Sequence, residues 1–127
     1  MAVRPRLQAT TIPELEALLS GLAAQSLVQM NDPATFGAIP PLYSGHVRYL
    51  RETPGHEDWQ SAVVTAQRGT GDCEDLVVYR VAELRKQGID ARPKVTWINP
   101  RLRHVTLTYP GPNGSLIHED PSKRLGM

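Results

Sequence analysis

The chain contains one cysteine, one phenylalanine and two tryptophans among 127 residues. A lone cysteine cannot close an intramolecular disulfide, so Cys73 is a buried small hydrophobe, a metal ligand or a nucleophile. No apolar run approaches the roughly 20 residues that span a bilayer. The opening "MAVRPRLQATTIPE" also lacks the apolar stretch of a secretory signal. The expectation is a protein made and kept inside a cell, with no membrane partner. Charge of one sign is missing too: 14 Lys and Arg stand against 13 Asp and Glu, the formal net charge is +1, and the basic residues are scattered. That balance gives no electrostatic reason to expect nucleic acid as a partner. No internal repeat and no low-complexity tract is present.

Apolar residues at 40% and charged residues at 21% describe an ordinary globular protein, long enough for one small domain over 1–127 with a single core. Proline and glycine divide it into an N-terminal helix and loop, about 1–55, and a second part, about 56–127. In "TIPE", Thr11 is placed to accept from the backbone N–H three residues on and Glu14 to reach back, a capping-box pattern. A helix from Ile12 to Met30 follows, with Leu15, Leu18, Leu19, Leu22 and Ala23 at helical spacing and Gly21 weakening its middle. "NDPATFGAIPPLYSG" reads as a loop and "HEDWQSAVVTAQRG" as a second helix ending at Gly69. In "GTGDCEDLVVYRVAELRKQG", Asp72 is a good N-cap and Gly88 a good residue just past the C-terminus, which puts Cys73 at the first helical position. Val77, Val81 and Leu84 form the inward stripe of that helix, and Arg80, Glu83, Lys86 and Gln87 face water.

After Gly88 the period changes to two. "ARPKVTWIN" and "LRHVTLTY" read as strands joined at Asn99 and Pro100, and "GPNG" turns the chain into "SLIHED". The fold class is therefore α+β, with helices packed on a small antiparallel sheet. A hairpin centred near Pro112 sets His104 opposite Asp120, close enough for a carboxylate to hold an imidazole. Val105, Leu107 and Tyr109 point to one face of their strand, and His104, Thr106 and Thr108 to the other, more polar one. A helix N-terminus docked on the polar face brings Cys73 to His104, with the sulfur about 4 Å from a ring nitrogen.

These blocks resemble the transglutaminase-like superfamily of papain-like thiol enzymes, and in particular its small bacterial and phage members. "GTGDCEDLVVYRVAELRKQGIDAR" is similar to the nucleophile turn and helix, "RHVTLTY" to the strand bearing the histidine, and "HEDPSKRLGM" to the strand end bearing the aspartate, in the family's order. The resemblance covers roughly residues 57–127. It implies a papain-like core with Cys73 as nucleophile, His104 as general base and acid, and Asp120 as the residue orienting the imidazole. "DPSKRLGM", "PPLYSGHVRY" and "HEDW" resemble short proteins of tailed phages and prophages, which implies a host cytoplasm or a virion as the location.

A thiolate attacks a carbonyl well, and an unperturbed thiol ionises only near pH 8.5, so a helix N-terminus and His104 are useful neighbours. The oxyanion needs donors, and the Cys73 backbone N–H, the Gln67 side-chain amide and Trp59 are candidates. The acids Asp72, Glu74 and Asp75 oppose a thiolate, because like charge raises a thiol pKa. Pairing with Arg68 or Arg80 offsets them, or capture of Ca²⁺, a cation that takes carboxylate ligands. Related periplasmic members of the family resemble this chain in "DCED" and are calcium dependent, which points to Asp72 and Glu74. The acyl-transfer chemistry itself requires no cofactor.

Alternatives stand beside these readings. Cys73 is inert filler in one, and Asp72 simply caps the helix while Asp75 favours its positive end. His104 is an ordinary strand histidine, Asp120 before Pro121 starts a turn, and Trp59 covers the core. His46 and His118 are surface residues. A zinc site from Cys73, His104 and His118 lacks any paired CxxC or HxxxH spacing. Two functions follow: a cysteine-dependent hydrolase or acyltransferase acting on peptide or protein amides, or a non-enzymatic virion or assembly component that keeps the fold and contacts phage structural proteins.

Overall fold

Thr11 starts helix α1 (Ile12–Met30): its hydroxyl accepts from the Glu14 N–H at 3.4 Å and donates to the Glu14 carboxylate at 2.8 Å. Glu14 thus reaches back to the hydroxyl, where the sequence pattern points to the backbone N–H. The structure, a computed structural model, describes residues 11–51, 59–100 and 102–127. The buried stripe of α1 is Leu15, Leu19, Ala23, Ser26 and Met30. Leu18, expected inside, is 44% exposed, because it sits about 100° around the helix from Leu19 and falls on the flank of that stripe.

The stretch read as a loop carries a short helix, α2 (Pro33–Phe36), whose N-cap Asp32 accepts from Thr35 N–H at 3.3 Å. A two-residue strand, β1 (Arg48–Tyr49), follows and pairs in parallel with β2 (Thr70–Gly71). No sequence pattern points to this pair. Helix α3 (Ala62–Arg68) is shorter than expected: Ser61 caps it, Trp59 and Gln60 precede it, and the 56–58 portion of the expected helix lies outside the described residues. Gly69, at φ 75°, ends it in the left-handed conformation that glycine adopts without strain.

Helix α4 (Cys73–Lys86) organises the rest. Its start is a capping box in which the Asp72 side chain accepts from Asp75 N–H at 3.2 Å and the Asp75 side chain accepts from Asp72 N–H at 3.1 Å. Val77, Val78, Val81 and Leu84 pack with α1 residues Leu15, Leu19 and Ala23 and with Val95, Val105 and Leu107 of the sheet. On the other side Leu76, Tyr79 and Ala82 pack with Met30, Leu42, Val47 and Ala62. The helix is therefore buried on two sides, and the expectation that Arg80 and Glu83 face water is corrected: their side chains are 19% and 14% exposed.

The sheet is antiparallel in the order β3 (Arg92–Asn99), β4 (Leu102–Pro110), β5 (Leu116–Glu119). A 3-10 turn, Pro112–Gly114, with Asn113 at φ 61°, joins β4 to β5, and Asp120 caps the last helix, α5 (Pro121–Arg124). The described residues thus form an α+β fold with helices on a small antiparallel sheet.

Two glycines give opposite expected effects. A Cβ at Gly71 meets Asp75 Cβ at 2.8 Å, so Gly71→Ala forces the turn before Cys73 off the helix and costs about 1–3 kcal/mol of stability. Gly21 lies in mid-helix, where an added methyl meets nothing within 4 Å, so Gly21→Ala gains up to about 1 kcal/mol. Chemical denaturation of the two variants checks both signs.

Candidate active site

Two glycines and a cap deliver Cys73. Gly69 closes α3, Gly71 lets the chain pass against Asp75, and the Asp72–Asp75 box fixes the first turn of α4. As the first helical residue, Cys73 contributes one of the backbone N–H groups that a helix leaves without an internal acceptor. Its thiol donates to Glu74 Oε2 at 3.3 Å, and the backbone of Val105 hydrogen-bonds the sulfur. Burial, followed by the charges of Glu74 and Asp72, pushes the Cys73 thiol far up from its ordinary range. The resting thiol is protonated.

The sheet explains where that sulfur lies. Val95 N–H donates to Glu16 of α1 at 2.9 Å, so it points out of the sheet edge, and Val95↔Val105 is the kind of antiparallel pair that exchanges no hydrogen bonds. The Val105 N–H consequently points away from β3, toward the edge of β4 that β5 leaves uncovered beyond Glu119. The thiol occupies that edge. Helix α4 itself packs on the Val105 and Leu107 face, not on the polar face expected to receive it, because those side chains complete the core.

His104 Nε2 is 2.8 Å from Asp120 Oδ2, and Asp120 Oδ1 accepts from Lys123 N–H at 3.4 Å. The hairpin register differs from the expected one: Leu107 pairs with Glu119 and Thr108 with His118, which centres the turn on Asn113. Asp120 is therefore diagonal to His104 rather than opposite. The shift is an even number of positions, so both side chains stay on one face, and a diagonal gap of about 7–8 Å between Cβ atoms is within reach of an imidazole and a carboxylate. The structure joins His104 to Asp120 and brings Cys73 to the neighbouring residue of the same strand. Among the described residues no hydrogen bond links the thiol to the imidazole, whose Nδ1 is the nitrogen Asp120 does not hold.

The other candidates separate. Gln67 is exposed on the last turn of α3, and Trp59 packs against the core cluster. His118 is exposed, whereas His46, expected at the surface, is half-buried, with Nδ1 2.9 Å from Ser44 Oγ and Nε2 3.2 Å from Tyr79 Oη. The acids proposed for calcium are engaged within the protein: Asp72 in the cap, Glu74 with the thiol and 4.0 Å from Arg103 Nε. Among the described residues no group of three or more His, Cys, Asp or Glu side chains is arranged to hold a metal ion. Arg68 and Arg80, expected to neutralise the turn, bond Gln60 and Glu119 instead.

Two groups have no sequence signal. Gln60 is buried and ties the segment before α3 to the turn: its N–H donates to Asp75 Oδ1 at 2.8 Å, and its amide to Thr65 Oγ1 and the Thr70 carbonyl. Glu119, beside Asp120, receives Arg80 Nε at 2.7 Å, Tyr43 Oη at 2.5 Å and Tyr109 Oη at 3.0 Å. Neither contact set has a spacing that a linear pattern displays.

No protein-family model matches the chain, and no curated protein matches it. Among solved structures, the periplasmic domain of TgpA from Pseudomonas aeruginosa bound to ethylmercury is similar at 18% identity and a TM-score of 0.49, over 92% of this chain and 46% of that one. A second structure of the TgpA periplasmic domain is similar at 18% identity and a TM-score of 0.47, over 91% and 44%. The chain thus spans less than half the length of these solved chains. Among the described residues no helix is long and apolar enough to cross a membrane.

Glu74→Gln removes both the charge and the carboxylate that holds the S–H proton. Alkylation of Cys73 by iodoacetamide at pH 7 is expected to accelerate about tenfold for each pKa unit recovered. An unchanged rate would assign the suppression to burial and Asp72.

Asp72 generates a pH prediction. Burial, then the charges of Glu74 and Asp75, raise its carboxyl above the usual range, so the folded protein keeps a proton that the unfolded chain releases near pH 4. Stability is then lost as pH rises above about 4. Glu119 has the opposite sign: burial alone would raise it, but hydrogen bonds from Arg80 and Tyr43 hold it below its ordinary value, so its contribution is lost on acidification. Asp72→Asn keeps an N-cap and removes the first effect. Its melting midpoint is expected above wild type at pH 8, with the gap closing toward pH 4, whereas Asp72→Ala loses about 1 kcal/mol of capping.

Proposed function

We propose that the protein is a thiol-dependent acyltransferase or amide hydrolase of the transglutaminase-like superfamily, of phage or prophage origin, acting on a peptide or protein. Cys73 is the nucleophile, His104 the general base and acid, and Asp120 the orienting group. The observation that carries this reading is the 2.8 Å contact of His104 Nε2 with Asp120 Oδ2, one residue along the strand from the backbone that bonds the Cys73 sulfur. A carboxylate on Nε2 fixes the proton there and leaves Nδ1 as the basic nitrogen.

In the reaction, Nδ1 takes the thiol proton as sulfur bonds to the amide carbon. The tetrahedral adduct then expels the amine, which receives that proton from the imidazolium as the C–N bond breaks. A thioester on Cys73 remains. Water or a second amine next bonds to the acyl carbon and gives a proton to the imidazole; the C–S bond then breaks and the sulfur takes that proton back from the imidazolium, which restores the thiol and the neutral His104. The developing oxyanion is met by the Cys73 backbone N–H at the start of α4.

A second reading, a non-enzymatic virion or assembly component, is favoured by one observation: the thiol proton rests on Glu74, in surroundings that oppose a thiolate. Incubation with a mixed peptide library, acid quench and mass spectrometry separates the two. The enzyme reading expects an acyl mass on Cys73 that vanishes in Cys73→Ala and His104→Ala and persists in Asp120→Asn at a rate lower by about 10²–10⁴. A His104→Ala protein that acylates like wild type sinks the enzyme reading.

A further inference from the structure

Glu119 is the last residue of β5 and the immediate neighbour of Asp120, yet its side chain points the other way, into the interior, where it is 7% exposed. Three elements converge on it. Arg80 of α4 donates through Nε at 2.7 Å to Oε2 and through a second guanidinium nitrogen at 3.5 Å to Oε1. Tyr109 of β4 donates to Oε1 at 3.0 Å, and Tyr43, from the segment before β1, donates to Oε2 at 2.5 Å. Arg80 is itself held, 3.5 Å from Glu83 Oε1, while Glu83 Oε2 accepts from the Leu42 N–H at 3.0 Å. The Arg80 and Arg124 guanidinium carbons lie 5.0 and 3.9 Å from the Tyr43 ring centroid.

These contacts bear on the site because of what each element carries. Helix α4 bears Cys73 two turns before Arg80, β4 bears His104 five residues before Tyr109, and β5 ends at Glu119 with Asp120 next. Among the described residues no strand pairing extends beyond Glu119: β4 and β5 part after the Leu107–Glu119 pair, and Asp120 reaches His104 diagonally. The Asp120 carboxylate is thus held from two sides, by the main chain at residue 119 and by the α5 cap, where its Oδ1 accepts from Lys123 N–H.

We propose that Glu119 is a positioning residue for the Cys73, His104 and Asp120 site, its carboxylate locking the end of β5 to α4 and β4 so that Asp120 meets His104 Nε2. The proposal rests on the thiol-enzyme reading above for its functional meaning, and on the hydrogen bonds alone for its geometry. The position demands an acceptor with two fully used oxygens, because two phenols and a guanidinium converge there and a glutamine offers one oxygen and two unwanted donors.

The test is the ring resonances of His104 in ¹⁵N-labelled protein, which report whether the proton sits on Nε2 in a hydrogen bond. Asp120→Asn defines the signature of a broken pair. Glu119→Gln is expected to lose the Nε2–H signal or move it toward that signature, and Tyr109→Phe, which removes one neutral contact, to move it part of the way in the same direction. Peptide acylation of Cys73 should fall in the same order. Should Glu119→Gln fail to fold, Tyr109→Phe decides alone. Variants that melt earlier but keep the wild-type His104 resonances would make Glu119 a fold residue only and overturn the proposal. If Asp120→Asn itself leaves those resonances unchanged, the His104–Asp120 pairing is wrong and the proposal falls with it. A wild-type protein that never acylates, but whose His104 resonances shift in the expected order, would sink the enzyme reading and leave the positioning geometry standing.

Discussion

The ion pair between Arg80 and Glu119 is the interaction on which the arrangement of helix and sheet depends. Helix α4 is packed on two sides, so an arginine in its middle is largely withdrawn from water and is held by an anion from within the protein. Glu119 supplies it from the far end of the sheet, and two tyrosines complete the carboxylate's hydrogen bonds. Taking one partner from such a buried pair leaves the other uncompensated, a loss of about 3–5 kcal/mol. The same pair ties the element that carries the thiol to the element that presents Asp120. Stability and site geometry thus share one contact.

At the turn before Cys73, helix capping conflicts with ionisation of the thiol. Asp72 and Asp75 satisfy backbone donors at the start of α4, which is what a helix start needs. Burial, followed by the charges of Glu74 and Asp72, raises the cost of a thiolate at Cys73. The Val105 backbone, which bonds the sulfur, acts in the opposite direction by favouring the charged form, but burial and the acids outweigh it. The thiol therefore rests protonated on Glu74, and its chemistry begins only when that proton moves to a base. His104 Nδ1 is the base within the proposed set, and no hydrogen bond joins it to the thiol among the described residues. Apo catalytic contacts are commonly loose in this way.

Local patterns account for most of what is legible in the residues. Thr11, Asp72 and Gly88 mark helix ends because caps and left-handed termini involve neighbours three or four positions apart, and these ends fall where the sequence places them. The alternation in "RHVTLTY" puts Val105 and Leu107 on one face by period alone, while packing decides that this face, and not the polar one, receives α4. The pairing of His104 with Asp120 is readable in outline, since a turn at "GPNG" folds one strand back on the other; the true register differs by an even shift, which preserves the face and so the contact. Helix α3 reads too long in the sequence because Trp59 and Gln60 continue a plausible pattern, while the Ser61 cap decides its start.

What the sequence by itself determined was each segment's periodicity and ends, and with them the α+β class and the residues able to do thiol chemistry. Only the tertiary structure decided that α4 is buried on two sides, which turned Arg80 and Glu83 from surface residues into an interior network. It also decided that the thiol meets the edge of β4 at Val105, where β5 has ended, and that Gln67 faces water while Gln60 does not. The physical reason is common to all of these: caps, turns and alternation are set by residues a few positions apart, whereas burial and charge pairing are set by groups dozens of positions apart, such as Arg80 and Glu119, whose meeting exists only once the chain is packed.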